Sequence, residues 1–201
     1  MSQQMWEERY SSPGRVWSGQ VNPWLVEAAE PLPAGKAYDL GCGEGADSVW
    51  LAQHGWQVEA VDFSPSALRA GARAAQEAGV SDLLTWTEAD LTRWEPMAPA
   101  DLVLLHFLHA PEAVVSGVLQ TAWRATGAGG TLLVIAHDPS NLTEGNGKGP
   151  QDQSVLYDSA SILRALELTT QDPGVRVAER RRRSSAAGDW LDAIVIAEKS
   201  S

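Results

Sequence analysis

The chain has 201 residues, a net charge of −11 at pH 7 and a pI of about 4.7. This length suits one α/β domain and leaves no room for a second full domain. The negative charge repels phosphate backbones and anionic lipid, so we expect neither nucleic acid nor membrane as a partner. A single cysteine, Cys42, excludes an internal disulfide, and no apolar run approaches membrane-spanning length. The polar, acidic start is unlike a secretory signal, so we expect a cytoplasmic protein.

Residues 1–34 precede the first predicted strand and contain several aromatic side chains. Pro23 suits the first turn of a helix, so we predict a short helix over residues 24–30. We interpret residues 1–34 as an N-terminal helical lid segment in which Tyr10 and Trp17 border the cofactor or substrate pocket. The alternative is an arm that only covers the edge of the sheet.

A glycine-rich turn follows the first strand. Residues 37–40 have the composition of a buried strand end, Gly41, Gly43 and Gly45 come next, and a helix is predicted over residues 45–54. This order of strand, glycine-rich turn and helix begins many nucleotide-binding α/β folds. The neighbouring acids Asp39 and Glu44 would repel a pyrophosphate and attract a ligand that carries an ammonium and a sulfonium.

The stretch 39–45 resembles the first motif of the class I S-adenosylmethionine-dependent methyltransferases. The resemblance implies an α/β fold with a Rossmann-like, doubly wound, seven-stranded and mostly parallel sheet, a C-terminal antiparallel hairpin and helices on both faces. Residues 35–201 would form that core as a single domain. Two other interpretations stay open, because the glycines can simply form a turn, and Gly41, Gly43 and Ala46 also fit the looser G-x-G-x-x-A pattern of NAD binding.

The second predicted strand, residues 57–61, ends at Asp62. An acid about 20 residues beyond the glycines, at a strand end, can accept hydrogen bonds from both ribose hydroxyls. Asp62 could instead cap the next helix, predicted over residues 65–78, but Ser64 is the better N-cap. The resemblance implies the ribose role for Asp62, with Phe63 beside it at the cofactor.

The third predicted strand, residues 83–87, leads to Asp90 and Leu91. In the family that the sequence resembles, an acid here binds the adenine amino group while its neighbour packs on the ring. Asp90 could also be an ordinary turn acid. The residues expected to bind the cofactor are therefore Asp39, Gly41, Gly43, Gly45, Asp62, Phe63, Asp90, Leu91 and His106.

Predicted strands four (101–106) and five (131–135) end close to histidines. Ligands bind at this carboxyl edge in open α/β sheets, so we consider three residues as catalytic bases and expect Asp138 to face the acceptor. The three are His109, our first choice, His106 and His137. Each could equally be a polar rim residue or a buried core histidine. The spacing of the first two is unlike a metal-binding helix face, so we expect no metal.

The last third is predicted to hold a helix over residues 112–125, an irregular loop over 140–158, a helix over 159–168 and two strands over 175–183 and 190–198. The loop is a candidate substrate lid. The two strands lack a crossover helix and must be antiparallel. Four consecutive arginines, 180–183, most plausibly cover a solvated sheet edge.

The sequence therefore predicts methyl transfer from S-adenosylmethionine to a small-molecule acceptor through an oxygen, nitrogen, sulfur or chalcogen nucleophile. The short chain and the acidic, aromatic stretch 6–10 are similar to the small tellurite- and thiopurine-resistance type of methyltransferase. The alternatives are an NAD-dependent oxidoreductase and a non-catalytic S-adenosylmethionine-binding protein. The sequence gives no prediction of oligomeric state.

Overall fold

The computed structural model describes residues 3–12, 14, 16–145, 149–184 and 188–200. The strands are β1 (Lys36–Leu40), β2 (Gln57–Asp62), β3 (Leu84–Glu88), β4 (Ala100–His106), β5 (Thr126–His137), β6 (Val175–Arg183) and β7 (Trp190–Glu198). The helices are α1 (Gln3–Ser11), α2 (Pro23–Ala29), α3 (Ala46–Gln53), α4 (Pro65–Ala78), α5 (Glu112–Ala125), α6 (Asn141–Glu144) and α7 (Ser159–Ala165).

All seven strands form one sheet in the order β3-β2-β1-β4-β5-β7-β6. The pairs within the first five strands are parallel, whereas β7 is antiparallel to both β5 and β6. From β1 the strand order runs to β2 and β3 on one side and to β4 and β5 on the other. Ligands of α/β sheets bind at such a reversal of strand order, here between β1 and β4. The predicted fold class and its C-terminal hairpin are confirmed.

The sheet has a separate hydrophobic core on each face, because successive side chains of a strand point to opposite sides. On one face, Leu105 and Val134 pack with residues of α5 and α7. On the other, Leu104 and Ile135 pack with Leu25 of α2 and with α3. Burial on both faces explains why the central strands are nearly continuous apolar runs.

Three predicted boundaries in the second half are wrong. β5 begins at Thr126, five residues earlier than predicted, and passes through Gly127, Gly129 and Gly130, although glycines usually mark a break between elements. A Cβ at Gly130 would lie 2.8 Å from the carbonyl oxygen of Ala100, so a glycine is needed where the two strands approach. The last helix ends at Ala165 because Glu167 has a positive φ of 57°. The predicted irregular loop contains α6 and a 3₁₀ turn at Gln153–Val155, and its residues 146–148 lie outside the described part.

The N-terminal segment forms two helices of different character. α2 belongs to the core, since Leu25 is fully buried, and Asn22 caps its first turn. α1 buries no residue fully and lies against α4. Within the described residues, no helix has the length and apolar character needed to cross a membrane.

Candidate active site

The glycine-rich turn between β1 and α3 has the backbone that its sequence predicts. Gly41, Gly43 and Gly45 all have positive φ, of 78°, 53° and 70°, a region that side chains other than glycine rarely adopt. The Gly41 amide donates to the carbonyl oxygen of Val61 at 2.8 Å, which ties the turn to β2. The turn therefore presents bare backbone at the carboxyl end of β1.

A tryptophan from β3 fills the space beneath this turn. A Cβ on Gly45 would lie 2.4 Å from the ring of Trp86, and one on Gly71 of α4 would lie 2.5 Å from it. The two glycines let α3 and α4 close around one large ring. Gly71 thus allows α4 to pack closely against Trp86 of β3.

Asp62 lies where β2 ends and joins two parts of the candidate site. Its Oδ2 accepts from the Gly43 amide at 2.9 Å and its Oδ1 accepts from the Ser64 amide at 2.9 Å. Burial raises the pKa of Asp62, although backbone hydrogen bonds from Ser64, Gly43 and Phe63 oppose the shift. A carboxylate has about four acceptor positions, so beside these three backbone donors at least one remains for a ligand's hydroxyl group.

A second buried carboxylate, Asp39, lies under the turn. It accepts from the Ser48 hydroxyl at 2.5 Å and is 3% exposed. Burial, reinforced by the neighbouring Asp47, raises the pKa of Asp39 to about 6. Asp47 in turn lies 2.8 Å from Nδ1 of His106, which links the end of β4 to the start of α3.

The carboxylate of Glu44 has a different partner from the one expected. It accepts from the backbone amides of Val16 at 3.2 Å and Trp17 at 3.0 Å. Glu44 is buried, and its charge is compensated by these amides of the N-terminal segment. It anchors that segment to the glycine-rich turn.

α1 covers the ligand-facing side of the turn. The hydroxyl oxygen of Tyr10 lies 2.9 Å from the position that a Cβ would take at Gly43, and Tyr10 accepts from Nε1 of Trp17 at 3.0 Å. Glu7 holds α1 in place by accepting from the hydroxyls of Ser64 and Ser66, both at 2.5 Å. The structure thus brings the two predicted lid residues to the glycine-rich turn.

Asp90 and Leu91 lie beside the same turn. Leu91 is buried, with Cδ1 3.8 Å from the Cβ position of Gly41. Asp90 is half-buried and accepts from the amide and the hydroxyl of Thr92, which lowers the pKa of its carboxyl group. Phe63 is half-buried after Asp62.

Four aromatic rings form a stack across the carboxyl ends of β4 and β5 and the amino end of the antiparallel strand β7. The rings follow the order Trp6, His109, His137 and Trp190, with centroids 6.2, 5.5 and 4.9 Å apart and interplanar angles of 15° to 19°. We call these four side chains the aromatic stack. Burial, together with the nearby His137 and Arg9, lowers the pKa of His109 to about 3. His109 is therefore neutral near pH 7 and is a weak base there.

His137, like His106, has a carboxylate close to its Nδ1. Its Nδ1 lies 3.4 Å from Oδ1 of Asp192, a fully buried side chain that also accepts from Arg183 at 2.6 Å and Trp24 at 3.0 Å. Asp138, which we expected at the acceptor, instead accepts from the amide and hydroxyl of Ser140. Over the described residues, no three His, Cys, Asp or Glu side chains converge as a metal site.

Several residues of the site were absent from the sequence-based prediction. Nothing in their spacing marks them, although nine tryptophans are a general indication of an aromatic-rich site. They are Trp6, Glu7, Asp47, Trp86, Leu108, Trp190 and Asp192.

Comparison with known proteins agrees with this geometry. A methyltransferase-domain family matches residues 37–130, which include the glycine-rich turn, Asp62 and Asp90. Ribosomal RNA small subunit methyltransferase C of Alcanivorax borkumensis is 52% identical over 80 residues, which are 37% of this chain and 25% of that protein. The matched part spans about a quarter of the relative's length.

Two solved structures share the fold. TehB from Haemophilus influenzae has a TM-score of 0.72 at 16% identity, over 90% of this chain and 63% of TehB. N-methyltransferase NodS from Bradyrhizobium japonicum WM9, in complex with S-adenosyl-L-homocysteine, has a TM-score of 0.70 at 16% identity, over 96% of this chain and 97% of NodS. The match to a methyltransferase-domain family argues against the alternative interpretation as an NAD-dependent oxidoreductase. Residues 37–130 thus match a methyltransferase domain, and the chain shares the fold of these two methyltransferase structures.

Proposed function

We propose that this chain transfers the methyl group of S-adenosylmethionine to a small-molecule acceptor. The observation that carries the proposal is the joined pair of Gly43 and Asp62: a bare-backbone turn and a carboxylate with a free acceptor position meet at the sheet's switch point. A cationic ligand with ribose hydroxyls suits this combination better than a diphosphate does.

Each part of the cofactor has a candidate partner. Asp39 and the glycine-rich turn would hold the methionine part, with His106 close to the same carboxylates. Asp62 would accept from the ribose hydroxyls, with Phe63 alongside. Asp90 and Leu91 would hold the adenine, the first as a hydrogen-bond acceptor and the second as an apolar surface.

The cofactor supplies a methyl group on a good leaving group. The chain's own residues must bind it, align an acceptor and exclude water. Alignment alone can contribute roughly 7–11 kcal/mol in favourable cases. Tyr10 and Trp17 lie over the glycine-rich turn and would exclude water there when the site is occupied.

A base is needed only when the acceptor carries a proton that must leave. His109 is poorly suited to this task, because its pKa is lowered to about 3. His137 is better placed, since the carboxylate of Asp192 lies 3.4 Å from its Nδ1. We therefore propose His137 as the base for protonated acceptors.

A small acceptor fits the electrostatics better than RNA does. The chain carries a net charge of −11, and each arginine of the run in β6 pairs with a carboxylate. The pairs are Arg180–Glu144, Arg181–Glu27, Arg182–Asp189 and Arg183–Asp192. These guanidinium groups are partly neutralised, so β6 offers little attraction to a phosphate backbone. We also propose a cytoplasmic location.

RNA is the second candidate acceptor because the Alcanivorax relative is named for ribosomal RNA. Calorimetry with S-adenosylhomocysteine and with NADH tests the cofactor, and we expect binding of the first only. A turnover assay that compares small acceptors with total RNA tests the acceptor class. Methylation of RNA alone would contradict the small-molecule proposal, and binding without any turnover would favour a non-catalytic role.

A further inference from the structure

The aromatic stack forms a continuous surface beside the proposed cofactor site. Its first ring, Trp6, also stacks on Tyr10 with centroids 5.8 Å apart, and Tyr10 lies directly over Gly43. The stack therefore begins at the glycine-rich turn and ends at Trp190 on β7. A flat molecule held in this stack would lie next to the group that the turn binds.

The stack contains buried polar atoms without a hydrogen-bond partner. Within the described part of the chain, these are Nε2 of His109 and Nδ1 of His137, and the second makes only its 3.4 Å contact with Asp192. An unpaired buried nitrogen is unfavourable, so such atoms call for an explanation. A ligand with a polar group at its ring edge would provide one.

Trp6, the ring at the end of the stack next to Tyr10, lies on a helix without a fully buried residue. Trp6 is on α1, which buries no residue fully, whereas the other three rings are on β5, β7 and the segment after β4. The face of His109 that Trp6 covers becomes available when α1 shifts. A neutral imidazole and an indole are both suitable surfaces for a planar ring.

The charge beside Trp6 is positive. The Arg9 guanidinium lies 5.2 Å from the ring centroid of Trp6 and 4.9 Å from that of Trp17. Among the described residues, it has no carboxylate within ion-pair distance. A ring substituent that becomes negative during reaction is favoured there.

We infer that the acceptor is a planar aromatic compound with a ring hydroxyl, and that its ring lies between Trp6 and His109. This inference rests on the proposed function. The hydroxyl oxygen forms a bond to the methyl carbon as the carbon–sulfur bond breaks. The electron pair of that bond stays on sulfur, which becomes the neutral thioether of S-adenosylhomocysteine. Because His109 lies between the acceptor and His137, the hydroxyl proton passes through a bridging water to Nε2 of His137 and then to bulk water.

The test is an acceptor panel that compares aromatic with saturated ring alcohols. Phenol, 2-naphthol and 8-hydroxyquinoline are compared with cyclohexanol and decahydro-2-naphthol, and 2-mercaptoethanol is added as a non-aromatic nucleophile. The readout is S-adenosylhomocysteine formation. We expect turnover of the aromatic compounds only, with KM lower for the two-ring aromatic compounds than for phenol.

Variants of Trp6 test its place in the site. Trp6→Leu should raise KM for the ring acceptor at least tenfold with the Kd of S-adenosylmethionine changed less than twofold, and Trp6→Phe should restore most of the affinity. Trp123→Phe, on α5, is the control for an unrelated tryptophan. The inference is overturned if protein that binds S-adenosylmethionine methylates no aromatic hydroxyl compound, or if Trp6→Leu leaves the KM for these compounds unchanged. Failure to bind S-adenosylmethionine would instead overturn the proposed function.

Discussion

The backbone amide of Gly43 donates to Oδ2 of Asp62 at 2.9 Å, so the turn after β1 and the acid that ends β2 form one unit. The other carboxylate oxygen of Asp62 holds the amide of Ser64, the N-cap of α4. One side chain thus fixes the start of a helix and the shape of the candidate cofactor loop.

Replacement of Asp62 by Asn should weaken S-adenosylmethionine binding at least tenfold. The amide keeps one acceptor oxygen but places an NH₂ group against one of the two backbone donors, which disturbs the loop as well as the ribose contact. Titration calorimetry measures the loss. Asp158→Asn is the matched control, because Asp158 caps α7 by accepting from Ser161 at 2.7 Å. Equal affinities for both variants would remove Asp62 from the site.

Asp39→Asn should stabilise the protein at pH 7.5 while it reduces cofactor affinity. The folded-state pKa of Asp39 is about 6, above the ordinary value of 3.8, so ionisation is costlier in the folded protein. The protonated carboxyl group of Asp39 makes its full contribution to the free energy of unfolding below about pH 4, and this contribution is lost as the pH rises through 6. Asn cannot ionise and retains it, a gain of about 1–3 kcal/mol in the free energy of unfolding. Denaturant unfolding at pH 7.5 and at pH 4 measures this, and a gain of the same size at both values would refute the explanation.

Glu44→Ala should release the segment that precedes α2. The carboxylate holds the amides of Val16 and Trp17, so its loss should raise hydrogen exchange at both amides by tenfold or more. Glu44→Gln keeps one acceptor oxygen and should give an intermediate rate. Exchange that stays at the wild-type rate in Glu44→Ala would show that other contacts hold the segment.

Gly71→Ala should destabilise the fold by about 2 kcal/mol although alanine favours helices. The new methyl group would lie 2.5 Å from the ring of Trp86. Gly117→Ala on α5 is the matched control, because no atom lies within 4 Å of its Cβ position, and it should stabilise by about 0.5–1 kcal/mol. Thermal unfolding of both variants decides the matter: two changes of the same sign would contradict the role given to Trp86.

The order of elements was predictable because local signals agree with the tertiary fold. Ser64 and Pro65 begin α4 where the capping rules place its start, and Ser64 accepts from Ala67 at 3.1 Å. Runs of apolar residues predicted the central strands. The start of β5 was predicted too late, because glycine marks a break in most sequences, whereas Gly127 and Gly130 here permit the close approach of β4.

The residues of the candidate site also differ in how far the sequence predicts which of them come together. Asp62 and the glycines lie at strand ends, so chain order alone brings them together. The contact of Glu7 with Ser64 joins residues 57 positions apart, and that of Trp24 with Asp192 joins residues 168 apart. Such pairs depend on how separate elements pack in three dimensions, for which spacing along one chain gives no signal.

The hydroxyl of Tyr10 lies over the backbone of Gly43, so α1 covers the turn at which we propose that the cofactor binds. We expect the exchange of spent for fresh cofactor to require α1 to detach from Ser64 and Ser66 in every cycle. Pre-steady-state measurements should then show a fast first methylation followed by a slower steady rate that is limited by this movement.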